Sequence, residues 1–278
     1  MLLFIHRFIP FTHQFLFLAI WQVFPLSAVV SLCKQKIITM ENLPPYIVIG
    51  AMAVTILTLL FLYNATNRSK TVLIISLAWL ALQAIIGLSE FYTVTDTIPP
   101  RFALTLVPPV LLIAACFSTK SGKKFLDSVS SKWLTLLHVI RVPVEMMLLW
   151  LFLQKYLPQL MTFEGRNFDI LSGLTAPAIF YFGYIRKTIS RKVLLAWNFI
   201  CLALLVNIVT IANLSAPFIF QQLAFDQPNI AVFYFPFVWL PAFIVPIVLF
   251  AHLASIRQLL QQKQPVAVDT NKVAYFVS

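Results

Sequence analysis

His138, Arg141 and Glu145 stand at i, i+3 and i+7 within an apolar run that opens at Trp133 and continues to Leu157. On a helix these three residues share one face. Arg141 and Glu145, four residues apart, can pair directly. At 1.5 Å per residue, Arg141 lies about 12 Å and Glu145 about 18 Å in from Trp133, near the middle of a bilayer. A lone charge there costs about 2.5–3.5 kcal/mol on insertion scales, so such residues face a bundle interior or a cavity. Pro143 lies between them. It cannot donate to the carbonyl of Val139, which predicts a kink and a free acceptor beside the charges. Charged groups and a free carbonyl on one face suit a ligand, an ion or a proton. The bland alternative is an ion pair that neutralises itself and fixes helix packing.

Two connecting segments carry the remaining polar candidates. The first, Met161 to Asp169, places Glu164, Arg166, Asn167 and Asp169 around Gly165. Asn167 or Asp169 can cap the next helix, with the acid at its positive end. Alternatively, Glu164 and Arg166 form a mouth above Glu145. The second segment, Ser215 to Asn229, is too apolar for a free loop and too short to span. It reads as an interfacial or re-entrant helix between Pro217 and Pro228, with Gln221, Gln222, Asp226 and Gln227 at the same mouth.

The same inventory argues against several chemistries. His138 and His252 lie near the same end of two apolar runs, but no HxxxH or HxxE spacing supports a metal or haem. A polar interface histidine is the ordinary reading. Cys33, Cys116 and Cys201 form no CxxC, so no structural metal or disulfide framework is expected. There is no HExxH, paired aspartate, nucleophile motif or phosphate loop. No catalytic residue, cofactor or metal is therefore assigned. Asn198 and Asn207 are nine residues apart, on opposite faces of a helix, and read as interhelical glue.

The elements that must position these residues are helices in a bilayer. Hydrophobic residues make up 60% of 278 and charged residues 10%, with a mean hydropathy of +0.90. A soluble fold has nowhere to put that much apolar surface. The expected fold is all-α, a polytopic transmembrane bundle of seven spans from Met40. The predicted spans are 46–63, 72–91, 102–117, 133–157, 170–185, 193–213 and 230–254. The third is broken by Pro108-Pro109, the fifth carries Gly173 and Pro177, and the seventh carries Pro236, Pro241 and Pro246. The third and fifth fall slightly short of a full span.

The net charge of +11 sits in short loops between apolar runs, which argues for a membrane surface and against nucleic acid. Counted after Met40, Arg68, Lys70, Lys120, Lys123, Lys124, Lys132, Arg186, Lys187, Arg191, Lys192, Arg257, Lys263 and Lys272 fall on one side, and Arg101, Lys155 and Arg166 on the other. The excess predicts a cytoplasmic C-terminus, with residue 40 outside. Residues 1–39 form an N-terminal hydrophobic extension, read as an extra span, a signal-like segment or an over-extended gene start. Residues 40–257 form the bundle and 258–278 a polar tail.

The segments MTFEGRNFDILSGLTAP (161–177) and QQLAFDQPNIAVFYFPFVWLP (221–241) resemble those of uncharacterised bacterial multi-pass membrane proteins. The resemblance runs from about Met40 to Leu260 and implies an inner-membrane class without a chemistry. Heptahelical receptors and rhodopsins share the span count alone, and the seventh span has no lysine to hold retinal. The main functional expectation is binding, sensing or transport of a small polar or anionic ligand at Arg141 and Glu145. A second is a membrane-embedded enzyme acting on a lipid or quinone, with Glu145 as acid/base and His138 assisting. A third is a structural subunit of a membrane complex.

Overall fold

The computed structural model describes residues 43–261. The readings of residues 1–39 and of most of the tail lie outside the described residues. Helix α1 spans Pro45–Ala65, with proline in its first turn, where the missing N–H leaves no bond unmade. Helix α2 spans Lys70–Leu88, and the Ser69 side chain accepts from the Val72 N–H. Helix α3 spans Ala103–Ser118 and turns through 96° at Thr119 into α4, Lys120–Ser128. The Thr119 hydroxyl caps α4 by accepting from Gly122 N–H at 3.0 Å. Gly122 is obligatory in this turn, since a Cβ there would lie 2.3 Å from the Cys116 carbonyl oxygen.

The apolar run that carries the charges is one rod in three parts. Helix α5, Ser131–Leu137, passes through a 3₁₀ turn at His138–Ile140 into α6, Arg141–Leu153. Pro143 removes the donor to Val139 and crowds the preceding turn, so the chain tightens there and continues. Helix α7 spans Ile170–Phe180 and ends in a π turn at Tyr181–Ile185. Helix α8, Arg191–Leu214, is capped by Ser190. After an irregular stretch, a π turn at Leu240–Ile244 leads into α9, Val245–Gln261.

Five segments are long and apolar enough to cross a membrane: α1, α2, Ser131–Leu153, α8 and Leu240–Gln261. Their mean hydropathies run from 1.8 to 2.3. Large aliphatic side chains stay outward on these helices and on α3, with Ile49, Ile74 and Leu111 each 63% exposed. Such a surface suits lipid and not water.

Three expected elements differ. The seventh span begins at Leu240 and not Ile230, because Pro236 and Pro241 deny the preceding stretch its helical donors. The stretch 215–229 is not a helix. Its N–H groups turn elsewhere, Gln222 and Leu223 to the Leu214 carbonyl and Asn229 to the Ser215 carbonyl. The fifth span, Ile170–Ile185, is a short helix, for a reason that the site makes plain.

The loops sort into two ends. At one, Asn67 bonds Ser128, Ser130 bonds Ala65, Arg191 bonds Leu260, and Arg257 grips Asp127 with two bonds of 3.0 and 3.1 Å. At the other, Gln227 bonds the Phe152 and Leu157 carbonyls, and Ile230 and Ala231 bond Tyr156. Between them, α2 locks onto the π turn that leads into α9 through proline chemistry. Pro246 leaves the Ala242 carbonyl without its helical donor, and the Trp79 indole N–H fills it at 2.8 Å. Trp239 reciprocates, donating to the Leu80 carbonyl at 2.9 Å. The segment before Leu240 approaches α2 at Gly87, where a Cβ would stand 3.0 Å from Val238.

Candidate functional site

The site forms where α7 meets α6. Gly173 allows the approach: a Cβ there would stand 2.8 Å from the Val142 side chain and 2.9 Å from its backbone nitrogen. That contact fixes Gly173 level with Val142, deep in the bundle. One turn earlier, Asp169 sits beside Arg141, whose Nη1 donates to Asp169 Oδ1 at 2.7 Å. Asp169 is the residue that opens α7, yet its side chain makes no cap bond. It spends its carboxylate on the guanidinium instead. Helix α7 is therefore short because it starts at the depth of Arg141. The upper half of its path is taken by the 158–169 loop, which descends into the bundle. Non-helical backbone at such depth is tolerated where protein buries it, and Met161, Thr162 and Asn167 are indeed buried.

Asn167 is the keystone of that loop. Its Nδ2 donates to Glu145 Oε1 and to the Met161 carbonyl, and its Oδ1 accepts from the Asp169 N–H at 3.1 Å. Residues 167 and 169 thus meet residues 145 and 141, two loop positions matching one helical turn. Among the described residues no ion pair joins Arg141 to Glu145; each takes its partner from the loop. The i, i+4 geometry permitted a direct pair, but two buried loop side chains offered both residues better partners.

Arg141 also reaches the other side of the bundle. Its Nη1 donates to the Cys201 carbonyl on α8 at 3.3 Å, and its Nη2 lies 3.0 Å from His252 Nε2 on α9. A guanidinium only donates, so Nε2 must accept, and the proton of a neutral His252 sits on Nδ1. That nitrogen lies 3.0 Å from Asn198 Oδ1, while Asn198 Nδ2 donates to the Leu194 carbonyl. The chain of bonds assigns the tautomer without ambiguity. His138 stacks on His252, ring centroids 3.9 Å apart, with Trp197 edge-on at 5.5 Å. Neither His138 nitrogen has a hydrogen-bond partner. Among the described residues no three His, Cys, Asp or Glu side chains are grouped to hold a metal ion.

A cavity of about 320 Å³ opens beside this cluster. Arg141, Glu145 and Asp169 line its polar end, and Asn213 and Asn229 lie on its wall. The rest is apolar, including Val144 and Leu148 of α6, Leu205 and Val209 of α8, and Ile244 and Val248 of the last span. The exposed lining residues, Val107 of α3 and Phe220, are both apolar.

The candidates read from sequence divide accordingly. Arg141, Glu145, Asn167, Asp169 and His138 come together in one buried cluster. Glu164 and Arg166 are exposed on the outer surface of the loop, where the Arg166 carbonyl accepts from Asn207. Gln221, Gln222 and Asp226 do not line the cavity, and the Gln221 amide bonds the nearby Leu223 and Ala224 carbonyls. His252 joins the site beside His138, Asn198 bonds across from α8 to His252 on α9 as interhelical glue would, and Asn229 was not expected there. Each was visible as a lone polar residue in or beside an apolar run, but which helices face one another is not written in spacing.

No curated protein and no solved structure matches the chain. A family described as a domain of unknown function (DUF8737) matches residues 99–260. That span is more than half of the chain and takes in the whole buried cluster, so the chain belongs to this family.

Proposed function

We propose that this chain is a seven-span protein of a bacterial inner membrane that binds an amphiphilic molecule drawn from the bilayer. The observation that carries the reading is the cavity: largely apolar walls, with a charged, hydrogen-bonding end formed by Arg141, Glu145 and Asp169. Ligand pockets are typically apolar with a few placed polar groups, and this one falls at the small end of their usual size. A free anion is a poorer fit, because Asp169 already neutralises Arg141 and Glu145 adds a second carboxylate. Counting α3 and the short α7 as crossings gives seven spans. The gathering of the basic loops at one end of the bundle supports a cytoplasmic C-terminus under the positive-inside rule.

The test is extraction of the purified full chain with organic solvent, followed by mass spectrometry, against a Val209→Trp variant that fills the cavity. An amphiphilic compound held by the native chain and lost from an equally stable variant supports the reading. Equal amounts in both would mark it as bulk lipid. A second reading, an enzyme acting on such a molecule, has one observation in its favour: Glu145 keeps Oε2 without a partner at the polar end. Chemical change of the extracted compound on incubation would separate the two.

A further inference from the structure

The polar end of the cavity carries an unfinished hydrogen-bond account. Three buried atoms have no partner: Glu145 Oε2, Arg141 Nε and Asn229 Oδ1. All three residues line the cavity, and they are 1–2% exposed. Buried polar groups in native structures are nearly always satisfied, so orphans on residues that line one cavity are groups a bound molecule can satisfy. The set is a donor, the Arg141 Nε–H, an acceptor, the Asn229 amide oxygen, and a carboxyl oxygen, Glu145 Oε2, which accepts when ionised and can donate when protonated. Arg141 and Glu145 stand one helical turn apart on α6, on the face that meets the cavity.

We propose that the head group received here is an uncharged hydroxyl on an apolar body, as in a long-chain or prenyl alcohol. The inference rests on the reading of the cavity as an amphiphile site. A hydroxyl both donates and accepts. Its oxygen takes the Arg141 Nε–H and its proton goes to Glu145 Oε2, so one small group completes both. A carboxylate or phosphate head accepts only, and it would stand beside Glu145 and Asp169 with the single guanidinium already bridged. A quaternary ammonium has no N–H to give and meets Arg141. A plain hydrocarbon leaves every orphan as it is.

The experiment uses the full chain in lipid nanodiscs and three photoreactive probes with one chain length. These are tetradecanol, tetradecanoate and tetradecyltrimethylammonium, each carrying a mid-chain diazirine, with crosslinks mapped by peptide mass spectrometry. The alcohol should label the cavity peptides, residues 140–148 and 205–213, roughly tenfold more than either charged probe, the scale of one hydrogen bond to a charged group. Glu145→Gln keeps the acceptor for Asn167 and removes the free one, and it should lower alcohol labelling by a similar factor. If that variant does not fold, the comparison of probes on the native chain still decides. Labelling by tetradecanoate as strong as by the alcohol overturns the hydroxyl assignment and leaves the cavity reading standing. Cavity peptides unlabelled by all three probes would overturn both.

Discussion

Replacing Asp169 by alanine removes one end of a bridge whose two side chains are only 3% and 8% exposed. Arg141 then keeps the Cys201 carbonyl at 3.3 Å and His252 at 3.0 Å, neither of which carries a negative charge. Removing one partner of a buried pair typically costs about 3–5 kcal/mol, mostly the uncompensated charge. Arg141→Met strands Asp169 in the same way and also leaves His252 Nε2 without its donor, a further penalty of about 1–3 kcal/mol. The double variant Arg141→Met/Asp169→Leu removes both ends of the bridge; Glu145 loses its neighbouring cation and is buried without charge only when protonated, and the His252 orphan remains. It should therefore sit about 1–3 kcal/mol below the native chain, well above the additive expectation. The assay is reversible unfolding of each variant in mixed micelles, followed by tryptophan fluorescence. Single costs below about 1 kcal/mol, the scale of an ordinary hydrogen bond inside a membrane, combined with an additive double variant, would refute the bridge as the anchor of the descending loop.

Gly173→Ala should destabilise by about 1–3 kcal/mol, the usual cost of overpacking, because the new Cβ meets the Val142 backbone nitrogen, which cannot yield; unfolding in mixed micelles measures it. Trp79→Phe should cost about 1–2 kcal/mol by orphaning the Ala242 carbonyl, and Pro246→Ala should reduce that cost by restoring a helical N–H, as read from the same unfolding series. A reporter fused after Arg191 should be cytoplasmic and one after Gln227 exterior, with the reverse pattern overturning the orientation.

What the sequence made legible is what periodicity and transfer energy control. Charges at 141 and 145 in an apolar run had to be buried together, and they are. Helices were expected across the seven apolar runs, and helical segments occur in all of them. What it left open is pairing, because the partners come from other elements. Glu145 could have met Arg141 at i, i+4, yet Asn167 is closer to hand once Gly173 brings α7 and its preceding loop against α6. The short fifth run was the one signal of this arrangement. A segment of sixteen residues holding Gly173 and Pro177 reads as a deficient span when hydropathy alone is weighed.

The deficiency has a functional meaning once the geometry is known. A helix that begins at mid-depth needs a stretch of irregular chain above it, and that stretch must satisfy its own backbone. Here the 158–169 loop does so through Asn167 and its own turns, such as the Asn167 N–H on the Thr162 carbonyl. The arrangement places the start of α7, with its positive dipole end, beside the cavity. A full-length fifth helix would have covered Glu145 with aliphatic side chains. The broken one brings Asn167 and Asp169 to it instead, at the cost of length. The same loop that shortens the span therefore builds the polar end of the cavity, so a variant that straightens α7 should lose the site before it loses the fold.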